Sequence, residues 1–140
     1  MDRVFLDANV LLLAAYRSDA GLRRLWDLEG AALVTSLHAA EEARRNLDHA
    51  QQRADLENLL SKVSVVFTTP PDRPIPEGDP LPDKDRPIML AAIEAGSTHL
   101  ITGDFRHFGR LFGTTVEGAS VLPPSEYLRL RERPSVGDSP

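Results

Sequence analysis

The first acid of the chain stands where an acid is costly. In "MDRVFLDANVLLLAAY", Asp7 interrupts an apolar run, with Val4, Phe5 and Leu6 before it and Val10 to Leu13 after it. Burying an unpaired carboxylate costs several kcal/mol or more, so Asp7 either faces solvent at a strand end or meets something positive. Two more aspartates, Asp85 and Asp104, occupy related places: Asp85 opens the helical pattern "DRPIMLAAIEAG", and Asp104 follows the strand-like "THLIT". A fourth carboxylate, Glu41 or Glu42, falls in the first turns of the helical segment "LHAAEEARRNL". Three or four carboxylates converging within a few ångströms repel one another unless a cation neutralises them. The chain has no cysteine, so oxygen and imidazole are the available ligands, and these suit Mg²⁺ or Mn²⁺, one ion or two. Such a site hydrolyses phosphodiesters, because the ion lowers the pKa of an attacking water.

The acids must be brought together by the elements that carry them. Val4 to Leu6 reads as a short buried strand, followed after Asp7-Ala8-Asn9 by a helix through Tyr16. Gly21 to Glu29 reads as a helix stopped by Gly30. Ala31 to Thr35 is a second strand, with Ser36 as N-cap of the helix that follows and residues 51 to 62 continuing helical. Val63 to Phe67 is strand-like. The stretch from Thr68 to Pro87 holds seven of the 11 prolines and reads as a long loop without regular structure. Asp85 suits an N-cap and Pro87 the first turn of the next helix, which ends at Gly96. After "THLIT" come a last strand, Ala119 to Leu122, and a closing helix across "PPSEYLRLRE".

Strands alternating with helices predict an α/β domain of three layers, α/β/α, around a central parallel sheet. The acids lie at the carboxyl ends of its strands, where ligands bind in such sheets. The boundaries are residues 1–128 for the domain, with 68–87 as a loop inside it, and 129–140 as a disordered tail. At 140 residues one core is expected. The longest strictly apolar run, Val10 to Tyr16, is too short for a membrane span, and a cytoplasmic location is expected. The net charge of −5 argues against a general nucleic-acid coat. Leu11, Leu12 and Leu13 in succession exceed one helix face, which suits a dimer interface or the core.

Simpler roles stand beside these. Asp7, Asp85 and Asp104 are each suited to a cap or turn, and Glu41 and Glu42 can pair with Arg45 along a solvated helix face. With Leu37, Ala40, Ala43 and Leu47 as the buried stripe, both glutamates lie at its margins, and geometry leaves the choice between them open.

Taken in order, "VFLDANVLL", "VTSLHAAEEARRNL" and "DKDRPIMLAAIEAGSTHLITGDFRHFG" resemble the successive motifs of PIN-domain nucleases, in particular the VapC-like toxins of bacterial toxin–antitoxin pairs, over residues 3 to 128. The resemblance implies a metal-dependent endoribonuclease, cutting RNA through Asp7, Glu42, Asp85 and Asp104 as catalytic residues and ligands of Mg²⁺ or Mn²⁺. The hydrophobic-polar-polar-hydrophobic ending of the second motif favours Glu42 over Glu41. Asn9 and Thr102 become supporting residues, and the family pattern adds a homodimer and a cognate antitoxin that blocks the acidic pocket. For substrate contact, Arg106 and His107 are tied to the acidic edge, and Arg45 flanks the glutamates. Two alternatives compete: a PIN-like scaffold binding RNA or protein without cutting, and an aspartyl-phosphate phosphotransfer domain. The second wants a lysine at a strand end, which neither Lys62 nor Lys84 provides.

Overall fold

The computed structural model describes residues 1–17, 21–78 and 81–132. In chain order the elements are β1 (Asp2–Leu6), α1 (Ala8–Tyr16), a 3₁₀ segment (Gly21–Asp27), β2 (Ala31–Ser36), α2 (Leu37–Arg45), α3 (Ala50–Leu60) and β3 (Ser64–Val66). Then follow α4 (Arg86–Glu94), β4 (His99–Ile101), α5 (Phe105–Phe108), β5 (Thr115–Val116), β6 (Ala119–Leu122) and α6 (Pro124–Glu132). The strands form one sheet in the order β3-β2-β1-β4-β6-β5. All neighbours are parallel except β5 and β6, which form an antiparallel hairpin. The chain is thus an α/β domain, as the alternation of strands and helices predicts.

Alternation along the strands divides the core. Val4 and Leu6 pack with α1, α3 and α6 through Val10, Leu11, Leu56 and Tyr127, whereas Phe5 points to the opposite face with Met89, Leu100 and Phe108. Each fully buried Leu or Phe contributes about 1.5–3 kcal/mol, and these two layers are what offset the cost of polar groups at the sheet edge.

Several local expectations change. The segment after Gly21 winds as a 3₁₀ turn rather than an α-helix. The helical run after β2 breaks at Asn46 and restarts at Ala50, with His49 Nδ1 accepting the Gln51 amide. The described parts of the 68–87 segment contain two 3₁₀ turns, Pro76–Gly78 and Asp83–Asp85, and are held at several points. Ile75 and Leu81 are buried in the core, Arg73 grips Glu117, and Arg86 grips Asp72. The closing helix runs to Glu132, four residues beyond the boundary at 128; Arg131 donates to Asp2 Oδ2 at 3.0 Å and to the Glu29 carbonyl, tying α6 to the start of the sheet. The rest of the tail, 133–140, lies outside the described residues. Among the described residues no helix is long and apolar enough to cross a membrane.

Candidate active site

The sheet order places β1 at a reversal: from it the chain winds through β2 and β3 on one side, then returns to β4 on the other. Ligands bind at such switch points, outside the carboxyl ends of the strands. Asp7 follows β1 immediately, and Asp104 follows β4 by three residues.

Asp7 is 6% exposed, so the interrupted apolar run does bury its acid. Three donors meet the carboxylate: the Ala8 amide on Oδ1 at 2.7 Å, and on Oδ2 the Thr102 hydroxyl at 2.8 Å and Asn9 Nδ2 at 3.1 Å. Thr102 is fully buried, and its oxygen accepts the Asp104 amide at 3.1 Å. Asn9 Oδ1 accepts the Gly103 amide at 2.8 Å. One network therefore joins the ends of β1 and β4. Burial nevertheless pushes the Asp7 carboxyl above its ordinary range, against the lowering effect of the Thr102 and Ala8 hydrogen bonds and with help from the charges of Glu42 and Asp104.

Asp104 caps α5, its Oδ1 accepting the His107 amide at 3.0 Å, and its Oδ2 lies 2.8 Å from His107 Nδ1. With Asp104 ionised, Nδ1 is the donor of this pair. Asp85 stands at the N-cap position of α4, but its side chain makes no capping hydrogen bond. It turns instead toward His107, whose Nδ1 lies 3.3 Å from Asp85 Oδ2. Of its two carboxylate contacts, the one to Asp104 is the shorter. Asp85 Oδ2 is left buried without a hydrogen-bond partner. Burial raises the Asp85 pKa; His107 and Lys84 pull it down, and Asp104 and Glu42 push it up.

Asp7, Glu42, Asp85, Asp104 and His107 line one cavity of about 450 Å³, together with Asn9, His38, Asn46 and Lys84. Glu41 lies outside it, in a neighbouring cavity. The geometry that left the two glutamates equal in sequence therefore separates them. Neither pairs with Arg45, which is exposed and lines neither cavity. Among the described residues Arg44 takes Glu57 instead. Arg106 is also exposed and outside the cavity.

The donor set fits a hard divalent cation. One ligand atom each from Asp85, Asp104 and His107 lies within 4.8 Å of the others, and the orphaned Asp85 Oδ2 is the acceptor that a cation satisfies and a hydrogen-bond network does not. Sequence reasoning did not single out His38, Asn46 or Lys84 as site residues. Lys84 was recognisable by its place between Asp83 and Asp85, at the N-terminus of α4.

No family model matches the chain, and no curated protein matches it in sequence. Solved structures do match in shape. VapBC2 from Rickettsia felis, bound to a DNA fragment from its promoter, is similar with a TM-score of 0.60 and 12% identity, covering 86% of this chain and 98% of that one. VapBC-1 from nontypeable Haemophilus influenzae gives 0.54 and 18%, covering 88% and 98%. At these identities the likeness speaks for the backbone alone, and the backbone of this chain is a VapC-like PIN fold.

Proposed function

We propose that the protein is an endoribonuclease dependent on Mg²⁺ or Mn²⁺, and the toxin of a toxin–antitoxin pair. The observation that carries the reading is the buried Asp85 Oδ2, without a hydrogen-bond partner, in a cavity shared with three other carboxylates. Asp7, Glu42, Asp85 and Asp104 would hold the cation. A divalent ion bound there supplies Lewis-acid charge that favours deprotonation of an attacking water and offsets the negative phosphate.

The chain's own residues do the positioning. Thr102 and Asn9 hold the rotamer of Asp7, and the Thr102 hydrogen bond partly offsets the upward push of burial on its carboxyl. His107 holds Asp104 through its Nδ1 at 2.8 Å and stands 3.3 Å from Asp85 Oδ2, which makes no hydrogen bond. Lys84, beside Asp85, offers a positive charge to a phosphate entering an otherwise negative cavity.

Inhibition by a partner protein that fills the acidic cavity completes the reading. Support comes from the fold likeness to VapBC structures. Leu13 and Tyr16, 45% and 56% exposed on α1, support pairing of two copies. Incubation of the purified protein with total RNA in Mg²⁺ or Mn²⁺ and in EDTA tests the reading: cutting only with the metal supports it. The scaffold alternative is favoured if RNA binds but is never cut.

A further inference from the structure

Beside the acidic cavity lies a second, of about 510 Å³, within the range of small-ligand sites. It opens at the same carboxyl edge of the sheet, since Phe67 follows β3 directly as Asp7 follows β1. Phe67, Thr68, Thr69 and Pro70 line it from the β3 side, and Pro87 and Ala91 from α4. Phe67 is 72% exposed, an aromatic face held at the rim with little covering it. His38, Lys84 and Ile88 line both cavities and so form the boundary between them.

Two basic side chains stand at that boundary. Three arginines are engaged elsewhere, Arg44 with Glu57, Arg73 with Glu117 and Arg86 with Asp72 and Asp83. Among the described residues Lys84 and His38 make no hydrogen bond or ion pair, although Lys84 acts electrostatically on Asp85. A free ammonium and an imidazole between an acidic cavity and an aromatic-lined one match the repeat of a single-stranded polynucleotide. There a phosphate alternates with a base, and stacking on an aromatic ring supplies affinity without sequence preference.

We propose that this second cavity seats a nucleobase of single-stranded RNA next to the phosphate in the acidic site, stacked on Phe67, with Lys84 and His38 contacting the phosphate between them. The proposal rests on the ribonuclease reading for what occupies the acidic cavity, and adds where the base adjoining that phosphate is seated. A duplex, whose bases are already stacked and paired, cannot place one there.

The test is binding of a fluorescein-labelled 12-nucleotide single-stranded RNA of mixed sequence, read by anisotropy in Mg²⁺ on an Asp7→Asn background. Phe67→Ala should weaken binding about tenfold or more, as loss of one stacking contact implies, and Phe67→Tyr should restore it. The thermal midpoint should not move, because Phe67 is exposed. Lys84→Gln should reduce the slope of log affinity against log salt by about 0.7, one phosphate contact. The same sequence as a duplex should bind weakly and ignore Phe67→Ala.

Single-strand binding indifferent to Phe67→Ala overturns the proposal and returns the groove to a protein segment; undetectable single-strand binding overturns it as well. Cleavage of total RNA by the wild type separates the two readings. Phe67-dependent binding without any cleavage supports the base seat and fails the nuclease, whereas cleavage with Phe67-independent binding fails the base seat alone.

Discussion

Thr102 donates its hydroxyl to Asp7 Oδ2 at 2.8 Å, across the two strands on either side of the reversal in the sheet. The bond couples fold to site: β1 and β4 must pair in register for the two residues to meet, and the Asp7 amide donates to the Ile101 carbonyl at 3.1 Å in the same ladder. Thr102→Val removes the donor and leaves a buried carboxylate short of one partner. We expect a loss of about 1–3 kcal/mol in urea denaturation, with Thr102→Ser close to wild type. A stable Thr102→Val protein would show that the bond contributes nothing.

The separation of the two glutamates gives a second prediction. Glu42→Gln should lower cleavage by about 100-fold, as loss of an acid from the reacting cavity implies. Glu41→Gln, in the adjoining cavity, should cost much less. Initial rates on a defined RNA decide this, and equal losses would remove Glu42 from its assigned role.

Asp85 predicts the response to metal. Calorimetric scanning should show the thermal midpoint of the wild type rising on addition of Mn²⁺, since a ligand that binds only the folded state stabilises it. Asp85→Asn should abolish most of that rise while raising the midpoint in EDTA, because an uncharged side chain is cheaper to bury there. A full metal response in Asp85→Asn would place the cation elsewhere.

The clasp at the far end of the sheet has its own pH signature. Burial pushes the Asp2 carboxyl up, but hydrogen bonds from Tyr127 and Arg131 and the charges of His99 and Arg131 outweigh it and hold its pKa below the ordinary value. A lowered folded pKa gives stability that is present above the unfolded value of about 3.9 and lost as pH falls through the folded one. Burial first, and then the Asp2 hydrogen bond, pushes Tyr127 up to about 12. A raised folded pKa gives stability that is present below the unfolded value of about 10 and lost as pH rises toward the folded one. Asp2→Asn should therefore flatten the thermal midpoint below about pH 4 and Tyr127→Phe should flatten it above about pH 10, each measured by circular dichroism.

The parts of the fold that the sequence made legible are those with a strong period or a strong cap. Val4 to Leu6 and Ala31 to Thr35 announce themselves as buried strands, and Ser36 does accept the Ala39 amide as an N-cap. Less legible was the β5–β6 hairpin. Its signal was present: Glu117 and Gly118, both at positive φ, join Val116 to Ala119 in a two-residue turn, but β5 is only two residues long. Asp85 shows the limit at the site. Its place suits a cap, and the competition that decides otherwise comes from His107 and Asp104, which reach it only through the fold. The choice of Glu42 over Glu41 is similar, since adjacent residues on a helix are separated only by what each one faces.

Cleavage of total RNA by the wild type and by Asp7→Asn, side by side in EDTA, Mg²⁺ and Mn²⁺, tests the central claim most directly. Four carboxylates lining one cavity, with an Asp85 oxygen that makes no hydrogen bond, predict cutting by the wild type with metal, none in EDTA, and none by Asp7→Asn under any condition. Cutting by Asp7→Asn at the wild-type rate, or by the wild type in EDTA, would contradict it.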